Sequence, residues 1–144
     1  MSLVLPILEY GAACWDPYRD GQISALDRVQ KKAAKFVHHR KSPNWENLAS
    51  RRKLSRICAL FKTYSGERTW KPIGDRLQRS HYLSIVDHER KTRSRRQRTD
   101  IGKYSFVNRT IQHWNQLPAE VLGILPCKAI TFKKRVRKVK TELN

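Results

Sequence analysis

A chain of 144 residues with 31 Lys and Arg against 12 Asp and Glu carries a formal charge of +19, while 39% of it is hydrophobic. It has room for one domain with a modest core, and is too apolar for a fully disordered tail and too basic for an ordinary cytosolic enzyme. So charged a surface repels itself unless an anionic partner lies against it; nucleic acid is the commonest such partner, with a membrane surface or an acidic protein as alternatives.

The first expected element is a short apolar helix from Leu3 to Cys14, with Pro6 in its first turn, broken by WDPYRDG. The same stretch imitates a signal peptide but lacks a basic leading region, and Glu9 interrupts the apolar run. No run approaches the ~18 apolar residues of a membrane span. An intracellular, nuclear location without membrane contact is therefore expected. Next, Ile23, Leu26, Val29, Ala33, Phe36 and Val37 recur at steps of three and four, with Arg28, Lys31, Lys32 and Lys35 opposite. That spacing predicts an amphipathic helix with one basic face.

After KSPN, Trp45 and Leu48 open another apolar surface. From Arg51 to Tyr64 the stripe Leu54, Ile57, Cys58, Phe61 and Tyr64 is set against Arg51, Arg52, Lys53, Arg56 and Lys62, and Gly66 is the expected stop. Residues 67–104 lose periodicity. HYLSIVDH is a candidate short strand there, and ERKTRSRRQRTD, too poor in apolar residues to pack, reads as an extended basic loop. Phe106, Val107, Ile111 and Trp114 restore helical spacing until Leu117-Pro118 ends it, and a final helix from about Lys128 lines up Phe132, Val136, Val139 and Leu143. Lys133, Lys134, Arg135, Arg137, Lys138 and Lys140 cover the rest of that helix. The expected fold is mainly α: a small helical domain with an extended basic loop and a C-terminal helix, divided as 1–66, 67–104 and 105–144.

Chemistry finds little support in these residues. Metal-dependent polymerases and nucleases need clustered carboxylates; no two acids are adjacent, and Asp87 and Glu89, the nearest pair, read as charge balance among cations. The five histidines lack companions at metal-ligand spacing, and the six glycines form no phosphate loop. There is no GxSxG, and Cys14, Cys58 and Cys127 read as reduced core residues. No catalytic centre, cofactor or metal is expected. Cations at helical spacing can instead neutralise successive phosphates without reading bases. The candidate nucleic-acid contacts are Arg28, Lys31, Lys32, Lys35, Arg51, Arg52, Arg56, Arg93, Arg95, Arg96, Arg98, Lys133, Lys134 and Arg137. Of the tryptophans, Trp15, Trp45 and Trp70 could stack on bases, whereas Trp114 belongs to an apolar stripe and the core.

LVLPILEYGAACWDPYRDGQISALDRVQKKAAKFV, WENLASRRKLSRICALFKTYSG and YSFVNRTIQHWNQLPAEV followed by ITFKK are three blocks in order. Together they resemble the region that follows the catalytic palm in reverse transcriptases of non-LTR (LINE-type, jockey-like) retrotransposons. The resemblance covers nearly the whole chain and implies that 1–66 is thumb-like and 105–144 a C-terminal tail, beside a template-primer duplex of RNA, DNA or both. The family's Tyr-x-Asp-Asp metal site is missing, since DPYRD at 16–20 does not supply it. Polymerase activity is therefore not implied. A nucleic-acid-binding module without sequence preference is the leading expectation; a module that docks on a polymerase palm or another protein is its rival. TIQHWNQLP is expected to buttress the tail, with Trp114 and Leu117 in the core and Asn115 as a local cap or turn residue.

Overall fold

A computed structural model describes residues 7, 11–12, 15–37, 46–67, 77–85, 87–123 and 127–142. Among them the chain is mainly helical, as expected: α1 (Asp20–Val37), α2 (Leu48–Tyr64), α3 (Asp100–Lys103), α4 (Phe106–Asn115), α5 (Ala119–Gly123) and α6 (Ala129–Glu142), with no strand. The chain divides into two compact units, Met1–Ser55 and Arg56–Asn144. Most of the expected Leu3–Cys14 helix, the KSPN break, Trp45, Trp70 and Leu143 lie outside the described residues.

In the first unit, α1 begins with the Gln22 and Ile23 amides donating to the Arg19 carbonyl at 3.0 and 3.1 Å. Asp20 in the first turn and Lys35 in the last suit the helix dipole. The covered face differs from the expected one. Gln30 is the buried side chain, 8% exposed, donating to the Glu46 carbonyl at 3.3 Å, while Val29 is 48% and Phe36 91% exposed. Helix geometry explains the correction: Ile23, Leu26, Gln30 and Ala33 share one line at 3.6 residues per turn, and Val29 and Phe36 fall on another. The apolar spacing had merged two faces.

At the start of α2 the Asn47 carboxamide accepts the Ala49 amide at 2.9 Å, an N-cap. No residue from Ser50 to Thr63 is exposed, so α2 has no basic face. Arg52 and Arg56, expected on that face, are buried at 2% and 4% exposure. Arg52 is a strut for the WDPY turn instead: its Nε donates to Asp16 Oδ1 at 2.7 Å, a second nitrogen reaches the Trp15 carbonyl, and its guanidinium lies 5.1 Å from the Trp15 ring centre. A buried guanidinium is tolerable only with such partners.

The second unit is built on stacked rings. Phe61 of α2 lies parallel to Phe132 of α6 with centroids 4.2 Å apart, and Trp114 of α4 is tilted against Phe132 at 5.9 Å and Tyr64 at 5.4 Å. Ile57, Leu60, Val107, Ile111, Val121, Leu122 and Val136 are the other buried apolar side chains among the described residues of this unit. Burying each large side chain contributes about 1.5–3 kcal/mol. Trp114 is core, as expected, and so fully enclosed that none of its surface reaches solvent. α2 stops at Gly66, whose φ of +79° is a left-handed conformation suited to glycine. α4 stops where the Leu117 amide turns back to the Trp114 carbonyl at 3.1 Å, just before Pro118. Cys58 and Cys127 are half-buried free thiols, less enclosed than expected.

Candidate nucleic-acid interface

Among the described residues, the expected contacts that are exposed fall into three groups. On α1, Arg28, Lys31, Lys32 and Lys35 are all exposed. At 1.5 Å per residue they occupy about 10 Å of helix axis. Their arc lies away from the covered line of Ile23, Leu26, Gln30 and Ala33, which is why the basic face survives although its apolar counterpart was misplaced.

The second group, Arg93, Arg95, Arg96 and Arg98, is an exposed arm with fixed ends. Residues 78–85 and 87–93 turn back without forming a strand, and the described residues of HYLSIVDH, a candidate strand, lie at the tip of this turn. A single antiparallel bridge joins Arg79 to Thr92, flanked by Ser80 N–H donating to the Lys91 carbonyl at 3.1 Å and Arg93 N–H donating to the Gln78 carbonyl at 2.8 Å. In such a ladder the backbone groups of the bridged residue point outward. Those of Thr92 meet the carboxamide of Asn115: Thr92 N–H donates to Oδ1 at 2.9 Å, and Nδ2 donates to the Thr92 carbonyl at 2.8 Å. Asn115 is thus a long-range tie and not the local cap that its place after Trp114 suggested. Its neighbour adds two more bonds: the indole N–H of Trp114 donates to the Arg90 carbonyl at 3.0 Å, and His88 Nε2 lies 3.2 Å from the Trp114 carbonyl.

The far end of the arm is held by Thr99, whose hydroxyl caps α3 by accepting the Gly102 amide at 3.3 Å. Gln97 folds onto that helix. A Cβ at Gly102 would stand 2.6 Å from Gln97 Oε1 and 3.3 Å from its Cβ, so glycine allows the close approach. The Gly102 carbonyl accepts from Ser105 Oγ at 2.8 Å and Asn108 Nδ2 at 2.6 Å, securing α3 to α4. Four arginines are therefore presented within six residues, a span of at most about 18 Å.

The third group lies on α6, where Lys133, Lys134 and Arg137 are exposed while Phe132 and Val136 are buried. Around the Phe61–Phe132 stack, burial pushes the Cys58 thiol up, and the charges of Lys133, Lys62 and Arg137 pull it back. Lys62, read in the sequence as one of the cations opposite the α2 stripe and not as a nucleic-acid contact, is half-buried.

Of the other expected contacts, Arg51 is half-buried, and Arg52 and Arg56 are withdrawn into the core. Asp87 balances charge, its carboxylate taking the Lys91 ammonium at 2.6 Å and the Ser84 amide at 2.9 Å. These contacts hold its carboxyl below the usual value, the Lys91 hydrogen bond first and the Ser84 amide second. Trp15 is 56% exposed with Arg52 against its ring, and Trp114 is unavailable for stacking. Among the described residues no helix is long and apolar enough to cross a membrane, and no three His, Cys, Asp or Glu side chains gather as metal ligands. Compared with family models, curated proteins and solved structures, the chain matches none.

Proposed function

We propose that this chain is a nucleic-acid-binding module without sequence preference, which meets the phosphate backbone of RNA, DNA or their hybrid and carries no catalytic centre of its own. The observation that carries this reading is the arm: Arg93, Arg95, Arg96 and Arg98, all exposed, between the Asn115-bonded Thr92 and the α3 cap at Thr99. A held loop loses less conformational entropy on binding than a free one. The α1 face and the outer side of α6 supply further cations, and the net charge of +19 supplies the long-range attraction. The likeness of its sequence blocks to the post-palm region of non-LTR reverse transcriptases agrees with a surface that accompanies a template-primer duplex.

Binding to fluorescent oligonucleotides of unrelated sequence, titrated with salt, tests the proposal. The logarithm of affinity should fall linearly with the logarithm of salt, by ~0.7 to 0.9 per neutralised phosphate, equally for all sequences. Replacing Arg93, Arg95, Arg96 and Arg98 by Ser should make the slope shallower; an unchanged slope removes the arm from the interface. The docking alternative rests on Phe36 at 91% and Ile7 at 69% exposure. It gains if gel filtration shows self-association that Phe36→Ser abolishes while oligonucleotide binding is absent.

A further inference from the structure

The turn that ends in the arginine arm also carries bare apolar side chains at its tip. Tyr82 is 90% exposed, Leu83 43% and Ile85 fully exposed. Their backbone is nevertheless held: Ser80 Oγ donates to the Tyr82 carbonyl at 2.9 Å, Ser84 N–H donates to the Asp87 carboxylate, and Asp87 N–H returns to the Ser84 carbonyl at 2.9 Å. An ordered tip that keeps three large side chains in water is unfavourable unless something covers them. Charge indicates what. Residues 77–98 contain seven Lys and Arg against Asp87 and Glu89, and Asp87 is already neutralised by Lys91. A polyanion with apolar faces fits that combination, and a nucleic-acid strand with unstacked bases is one.

We propose that the Tyr82–Ile85 tip is a base-stacking site, so that the preferred ligand carries unpaired nucleotides beside the phosphates gripped by Arg93 to Arg98. This rests on the phosphate-binding reading above and adds a ligand class to it. The phenol ring accepts any base on its face, and Ile85 contributes an aliphatic wedge against the neighbouring base. Stacking releases no counterions, so its loss lowers affinity at every salt concentration and leaves the slope alone.

The test uses the full chain with a 20-nucleotide single strand containing 2-aminopurine and the corresponding blunt duplex. Tyr82→Ala should weaken single-strand binding roughly 5- to 150-fold, a range set by the usual contribution of a stacked base. It should leave the duplex within about 2-fold, keep both salt slopes and abolish the 2-aminopurine emission change, while Tyr82→Phe preserves all three. Ile85→Ser is a second variant with a smaller loss in the same direction. Both side chains are exposed, and an unchanged melting temperature verifies the fold. Equal loss on both ligands, or none on either, overturns the stacking site while leaving phosphate binding in place. Failure of the parent chain to bind either ligand overturns both. If Tyr82→Ala instead releases the chain from phosphatidylserine-containing vesicles and spares the oligonucleotides, the tip is a lipid contact and the proposal is wrong.

Discussion

α1 and α6 look alike in sequence, each an apolar line at helical spacing set among cations, yet only α6 buries the line that its spacing marks. Phe132 and Val136 are enclosed, and Phe132 lies against Phe61 and Trp114; on α1, Val29 and Phe36 stand in water and Gln30 takes the covered side. Period reveals that a segment is helical and has a sticky side. Which line is covered depends on what the rest of the chain lays against it. On α6 the covered line meets the flat rings of Phe61 and Trp114, whereas on α1 it includes Gln30, which donates to the Glu46 carbonyl.

That contrast breaks most visibly at the buried ring. Trp114→Ala should cost ~3–5 kcal/mol in chemical denaturation, whereas Phe36→Ala should change stability by less than ~0.5 kcal/mol. Similar losses from the two would mean that α1 is covered in solution after all. Next in size is Arg52→Met, which fills similar volume but deserts Asp16 and the Trp15 carbonyl. Because Asp16 retains some solvent, we expect a loss of ~2–3 kcal/mol and a redder Trp15 emission; wild-type stability would show that Arg52 is not the strut. Asn115→Leu removes both bonds to Thr92 and should cost ~1–3 kcal/mol, accelerating hydrogen exchange at the Thr92 amide. If that amide exchanges as slowly as before, the tie does not exist in solution.

Smaller still, Lys31, Lys32 and Lys35 changed together to Glu should leave the melting temperature nearly unmoved, since all three are exposed, while weakening oligonucleotide binding and its salt slope. A chain that unfolds would place them on a covered face. The least effect is electrostatic and local. Asp87 is held in its ionised form, so its support of the tip is complete above the unfolded-chain value and fades as the pH falls through the lower folded one. The Ser84 amide resonance should therefore titrate with a midpoint below the ordinary 3.8; a midpoint at or above it would mean that the Asp87–Lys91 contact is not maintained.

The helices were legible because their signals are local: periodicity for α1, α2, α4 and α6, Gly66 and Leu117-Pro118 for two of the stops. The buried side of Trp114 was legible from its stripe. Arg52 and Arg56 were not, because a basic side chain opposite an apolar line looks the same whether it meets water or a carboxylate thirty-six residues away. Asn115 posed the same difficulty. Its partner is Thr92, and nothing near Asn115 in sequence hints at a strand edge in need of bonds. The arm was read correctly as extended and basic from its lack of apolar residues, but its two fixed ends depend on tertiary contacts. Tyr82 and Ile85 lay in HYLSIVDH, a candidate short strand; among the described residues one bridge forms there, Arg79 to Thr92, and no sheet covers them.

The paired bonds between Asn115 and Thr92 have a consequence for solubility. An unpaired strand edge is a template on which other chains extend a sheet, and a turn with Tyr82, Leu83 and Ile85 bare at its tip would be a hazardous place to leave one. The carboxamide presents one donor and one acceptor, as a neighbouring backbone would, and so occupies the growth point with a group that cannot propagate it. Arg93, the next residue, adds charge where a following strand would have to register. One asparagine side chain thereby leaves the apolar tip exposed while capping the Thr92 backbone beside it against a further strand.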